Sequence, residues 1–304
     1  MLAAASMHLS SRNQSDTLTA HFEYPNRTAV GSAVIIIEEI KLGKQLSTLH
    51  LTVWQDGLLP QAPWITPSIS RRIVLAYTIH TNLRRLSGIS VTTGYEVTPI
   101  TALPPLPDFE ALKSDGIDDT WIESKPPQPY NLVRSLQNWH LYVPREGAMT
   151  PGVLDMWIRL ANGERITQGT LAYVADSSPV NLYTFLVAPE LRQALEARLN
   201  ENANKAKPKR TEHEDVKEKN KPRPLLWLPT VVMNLEVKKS LPEEGVEWLA
   251  TRITSKQIKD GRFDLDMLIR DVGGETVALS YHVAMILSME RNTSRRDTSN
   301  KAAL

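Results

Sequence analysis

The chain has 304 residues, 41% hydrophobic and 23% charged, which is ordinary globular composition and enough for one large domain or two smaller ones. Thirty-five Lys and Arg against 34 Asp and Glu leave a formal charge of +1, so no global field draws in nucleic acid or an anionic membrane. Cysteine is absent, which excludes disulfide scaffolds, Cys-ligated zinc and thiolate nucleophiles.

The opening, "MLAAASMHLSSRNQSD", has a short apolar patch without the basic lead-in of a signal peptide. From Thr17 to Thr81 the chain reads as strands: "TLTAHFEY" alternates, "SAVIIIEEI" is β-branched, "STLHLTVWQ" alternates again and "RRIVLAYTIH" closes the set. Gly43, and Gly57 with Asp56, mark turns between them. Their spacing suits antiparallel hairpins and leaves no room for crossover helices.

Residues 98–135 contain "PITALPPLPDF" and "ESKPPQPY", a proline cluster too poor in N–H donors for a central strand, and are expected to be a linker. "GVLDMWIRL" then reads as a strand ending at an Asn162-Gly163 turn, and "TQGTLAYVAD" as a short helix halted by Ser-Ser-Pro. "APELRQALEARLNENA" carries Leu191, Leu195 and Leu199 at helical spacing. Residues 202–224 are nearly devoid of apolar side chains and read as a mobile charged insertion. Strands resume with "PTVVMNLEV", "VEWLATRITSKQI", "GRFDLDMLIRD" and "TVALSYHVAMIL", where Ala278, Ser280 and His282 share one face. The tail, 291–304, is expected to be disordered. It ends in Leu but differs from a peroxisomal Ser-Lys-Leu ending, and no apolar run is long enough to span a bilayer, so a soluble cytoplasmic protein is the default expectation and a peroxisomal one the alternative.

One phrase occurs twice. "IKLGK" at Ile40 returns as "IKDGR" at Ile258, 218 positions later, each leading into an apolar-rich strand. A repeat spaced by most of a domain length indicates duplication of a strand-rich half rather than a solenoid.

With these segments the chain resembles the acyl-CoA thioesterase II type of double hotdog protein, in its fungal thioesterase-like branch. The resemblance rests on "DMWIRLANGERITQGTLAYVAD" with the Ser-Ser-Pro after it, "LPTVVMNLEVKKSLPEEGVEWL" and "IKDGRFDLDMLIRDVGGETVALSYHVAMI". It implies an α+β fold in which two antiparallel sheets each wrap a central helix, with a first hotdog at 1–97 and a second at 136–290. The first hotdog looks N-terminally shortened. Either the shortening is real, which would expose the apolar face of "SAVIIIEEI", or a partner, for instance a second copy in a homodimer, covers the gap.

The resemblance further implies an acyl-CoA or related acyl thioester as substrate, no cofactor, and three site residues. The family's helix Asp falls on Asp176, its hydroxyl on Thr230, and its Gln position on His282, which is a departure. Asp176 also has an argument of its own, because an anion at a helix C-terminus opposes the helix dipole. The alternative is a plain Asp-Ser-Ser-Pro turn. Thr230 equally suits strand propensity, and a lone strand His is commonly structural. Superposing the last strands of the halves sets Ile79 against His282, so one site per chain is expected. His21, His50 and His80 lie on separate first-half strands and His213 lacks metal-ligand spacing. Neither a Gly-x-Ser-x-Gly elbow nor a dinucleotide fingerprint occurs. Three functions stay open: thioester hydrolysis, dehydration or tailoring of a polyketide or acyl intermediate, and acyl binding without catalysis.

Overall fold

The computed structural model describes residues 1–91, 104–124, 134–148, 152–177 and 226–288. The expected helix near Leu195, the charged insertion, His213 and the C-terminal tail all lie outside the described residues. The first half holds α1 (Leu2–His8), β1 (Asp16–Glu23), β2 (Val34–Leu42), β3 (Ser47–Gln55) and β4 (Arg71–Thr81). The later residues form α2 (Phe109–Ser114), β5 (Trp121–Glu123), β6 (Trp139–Pro144), β7 (Val153–Leu160) and α3 (Leu171–Asp176). They end with β8 (Leu226–Trp227), β9 (Thr230–Val237), β10 (Leu249–Thr254), β11 (Ile258–Lys259), β12 (Arg262–Arg270), β13 (Thr276–Met285) and β14 (Leu287–Ser288).

Twelve strands make one antiparallel sheet in the order β2-β3-β4-β1-β9-β13-β12-β10-β7-β6-β5, with β11 paired to β12. The order exposes the duplication. Read from the outside to the seam, β2-β3-β4-β1 of the first half matches β10-β12-β13-β9 of the second. The halves join where β1 pairs with β9, and the His21 ring meets the Asn234 side-chain oxygen across that seam at 2.8 Å.

The repeated phrase forms a hairpin at the same place in each half, but the two turns differ. In the second half Lys259 faces Arg262 across a two-residue turn of Asp260 and Gly261, with φ of 52° and 72°. Positive φ at both central residues is what a tight hairpin with strand-matched twist demands. In the first half Leu42 faces Ser47, so four residues make the loop. There Gly43 is required by space, since a Cβ would stand 2.3 Å from the Leu46 carbonyl oxygen.

The concave face of the sheet packs on α1 and α3 in one core that unites both halves, including Leu2, Phe22, Leu49, Leu171, Met233 and Met267. A second, aromatic layer lies on the outer face. There Trp121, Tyr142, Trp157 and Trp248 enclose Leu112, with Phe109 edge-on to Trp157 at 5.2 Å between centroids. β7 is therefore buried on both sides, Met156 facing the main core and Trp157 the aromatic layer, which explains its nearly continuous apolar run.

This layer corrects the linker expectation in part. Within 98–135, residues 109–114 form a helix and residues 121–123 an edge strand. Asp108 caps that helix by accepting from the Glu110 and Ala111 amides, at 3.1 and 3.0 Å. The Trp121 indole donates to the Pro105 carbonyl at 3.0 Å. The proline-rich chain is held by buried aromatic surface, a strong anchor that periodicity does not reveal.

Among the described residues no strand pairs with the outer edge of β2, whereas its counterpart β10 carries β7. Ile35, Ile36 and Ile40 are accordingly 39%, 36% and 53% exposed. No helix of the described residues is long and apolar enough to cross a membrane.

Candidate active site

Asp176 is the last residue of α3. A 3₁₀ turn, Gln168–Thr170, leads into that helix and opens with a reciprocal Thr167–Thr170 cap, in which the Thr167 amide donates to Thr170 Oγ1 at 3.0 Å. Leu171, Val174 and Ala175 are spaced to face the core. Their packing leaves Asp176 at the helix end with its side chain accessible to solvent.

Thr230 opens β9, 54 residues later, and its Oγ1 donates to Asp176 Oδ1 at 2.8 Å. The fold thus brings two of the three expected residues into direct contact. Protein crowds the Asp176 carboxyl and pushes it up to about 6, against the opposing pull of the Thr230 hydrogen bond. Water reaching the carboxyl opposes part of the desolvation, so the upward direction is the property that the chemistry can use.

Tyr24 is a site neighbour that sequence reasoning missed. It follows β1, its amide donates to the Val231 carbonyl at 3.1 Å, and its phenol is raised by burial and then by the charge of Asp176. The first half therefore contributes a side chain beside the acid of the second. A polar residue just past the end of an alternating strand is a feeble signal, and only the β1–β9 pairing gives it meaning.

His282 shares the inward face with Thr230, but among the described residues no hydrogen bond joins it to the pair. Thr230 stands opposite Ala284 on β13, so His282 lies two residues further along the neighbouring strand. The hydrogen bond of its ring goes to Ser280, with Nε2 2.8 Å from Oγ. His282 is 1% exposed, and burial lowers its ring to about 4, so it is neutral at physiological pH.

The equivalence expected between Ile79 and His282 is wrong by one residue. At the seam Ala20 pairs with Leu235, and these pair in turn with Thr78 and Ser280, each a hydroxyl residue two before a histidine. His80 is therefore the counterpart, buried like His282 and likewise lowered to about 4 by burial. Ile79 points to the other face.

An open depression of about 800 Å³ crosses the seam elsewhere, lined by Thr19, His21, Tyr77, Asn234 and Tyr281 among others. Asp176, Thr230 and His282 are not in its lining, and it offers no acid bonded to a hydroxyl as Asp176 is to Thr230. Among the described residues no group of three or more His, Asp and Glu gathers in a way that would hold a metal ion.

Two halves of like strand order, fused into one large antiparallel sheet that packs on short helices, define the double hotdog class. The family profile of the acyl-CoA thioesterase N-terminal domain matches residues 1–72, and that of the C-terminal domain matches residues 104–286. A thioesterase-like protein of Talaromyces wortmannii, TwmA, is 62% identical over 305 residues, covering 100% of this chain and 86% of its own. Among solved structures, a candidate thioesterase II of Thermobifida fusca superposes with a TM-score of 0.59 at 18% identity, covering 92% of this chain and 81% of its own. A hotdog-fold protein of unknown function from Alicyclobacillus acidocaldarius superposes with a TM-score of 0.58 at 14% identity, covering 90% and 79%. The chain belongs to the acyl-CoA thioesterase family.

Proposed function

We propose that the protein hydrolyses an acyl thioester, with acyl-CoA as the substrate class that its family suggests. Asp176 acts as general base on a water molecule that Thr230 helps to hold, and His282 contributes a polar contact to the water or the carbonyl. The observation that carries this reading is the Thr230–Asp176 hydrogen bond at a carboxyl raised to about 6. A carboxylate whose proton affinity lies close to neutral pH removes a proton from water far better than an ordinary one. Hydrolysis of a thioester asks for a polarised carbonyl and a positioned water, so no cofactor is required.

Dehydration would instead need an imidazole and an acid acting on the same carbon chain. The bond of Asp176 goes to Thr230 and that of the His282 ring to Ser280, so no hydrogen bond joins acid and imidazole among the described residues, which favours hydrolysis. The deciding experiment follows thiol release from acyl-CoAs of increasing chain length, with product masses. Free thiol with mass gain of water in the products supports hydrolysis, and loss of water with the thioester intact supports the hydro-lyase reading. Saturable binding with neither change would leave an acyl-binding protein. Delivery by CoA or by a carrier protein is separated by supplying both forms of one acyl group.

A further inference from the structure

Ser280 and His282 lie two residues apart on β13 and share its inward face, 6% and 1% exposed. The Ser280 hydroxyl is 2.7 Å from the backbone carbonyl oxygen of Asn234 on β9 and 2.8 Å from His282 Nε2. A carbonyl oxygen can only accept, and a serine hydroxyl has a single proton to donate. That proton goes to Asn234. The second contact is then completed from the other side, by Nε2–H of His282 donating to the serine oxygen. A neutral imidazole carries one proton, so Nδ1 is left with the lone pair.

The first half contains the same device. Thr78 donates to the Leu49 carbonyl at 3.4 Å, and His80 Nε2 stands 2.9 Å from Thr78 Oγ1. The spacing and the register position match, while the accepting carbonyl lies on β3 instead of the strand at the seam. What both copies keep is a hydroxyl that hands its own proton to a neighbouring strand and accepts one from the ring. In the first half the arrangement is sealed: His80 is 0% exposed and its Nδ1 is buried with no hydrogen-bond partner among the described residues. In the second half the ring shares its face of the sheet with Thr230, the partner of Asp176.

We propose that Ser280 is a positioning residue for the hydrolysis: it locks His282 in the Nε2–H tautomer, so that the ring offers Nδ1 to water or substrate as an acceptor. The catalytic half of this statement rests on the hydrolysis reading, whereas the tautomer does not, and the two are tested separately. Long-range ¹H–¹⁵N correlation of the histidine rings in the labelled full chain, with His282 assigned by its loss in His282→Gln, reads the tautomer directly. The expected pattern is a protonated Nε2 and an unprotonated Nδ1 in the parent. Ser280→Ala should mix the two tautomers and lower kcat about tenfold, the effect of one lost hydrogen bond, with KM changed less. Ser280→Thr, the residue already used at the equivalent place by Thr78, should restore both the spectrum and the rate. A protonated Nδ1 in the parent, an Ala variant with unchanged tautomer, or a Thr variant no better than Ala would each overturn the proposal. Absence of thiol release in every variant together with the expected spectra would sink hydrolysis and the positioning role with it, leaving the tautomer lock standing.

Discussion

His80 and His282 occupy the same position in the two halves, each buried on the last long strand of its repeat and each with Nε2 against the hydroxyl two residues earlier. Both rings are held near 4 by burial. Their contribution to stability is fully present above the usual value of 6.5 and is lost as pH falls towards 4, because the unfolded chain takes up two protons that the folded chain refuses. Each contributes on the order of 3 kcal/mol across that window. Asp176 acts in the opposite sense. Its raised carboxyl favours the folded chain below 3.8, and this advantage disappears as pH rises through about 6. In urea unfolding at stepped pH, His80→Gln and His282→Gln should each flatten the loss of stability between about pH 6.5 and 4, and Asp176→Asn should steepen it. Parallel curves for all three variants would refute the assignment.

Asp176→Asn should lower thiol release by on the order of a hundredfold or more, the usual range for a lost general base. The same change should stabilise the protein at about pH 7 by on the order of 1 kcal/mol. The crowded charge disappears, the amide oxygen still accepts from Thr230, and solvent access limits the gain. Turnover and a thermal melt on one preparation check both halves of this expectation, and a faster or equally active variant would remove Asp176 from the reaction.

A base must be ionised to work, so the rate should rise with pH and level off above about 6. The Thr230 hydrogen bond favours the ionised acid and holds that midpoint down. Thr230→Val should therefore shift the midpoint of the rate profile upward as well as lower the plateau. A midpoint that stays in place would show that the titrating group is another one.

Arg252 on β10 and Asp155 on β7 face each other across the ladder and form a two-pronged ion pair at 2.7 and 2.9 Å, only 7% and 4% exposed. Asp155→Ala leaves the guanidinium buried opposite an apolar side chain and should cost on the order of 3–5 kcal/mol. Replacing both by Leu and Met should recover much of the loss, since no charge then needs a partner. Denaturant midpoints of the single and double variants provide the comparison.

Trp157→Ala should cost about 3–5 kcal/mol and release the segment that packs on it. Limited proteolysis should then cut within residues 104–124, which the aromatic layer protects in the parent. Unchanged resistance would mean that the proline-rich flanks, not the indole, hold α2.

The succession of strands along the chain, the two-fold repeat and the short helix ending at Asp176 could be read from the sequence, because alternation, a duplicated Ile-Lys-x-Gly phrase and Leu171–Val174–Ala175 spacing are local signals. The hotdog class and the choice of Asp176 and Thr230 came through the resemblance those segments carry, not from periodicity. α2 and β5 escaped, since six and three residues are too few for a pattern to rise above a proline-rich background, and their anchor is Trp157, far along the chain. The match of His282 to His80 instead of Ile79 also escaped. Irregularities near Thr17 and Trp54 shift the pairing of β4, and a shift of one residue exchanges the two faces of a strand. Only the tertiary structure set Tyr24 beside Asp176 and gave Ser280 a carbonyl to which it donates. Those contacts depend on hydrogen bonds between strands some two hundred residues or several tens of residues apart. A sequence records what each segment prefers, while the register between segments is decided where their backbones meet.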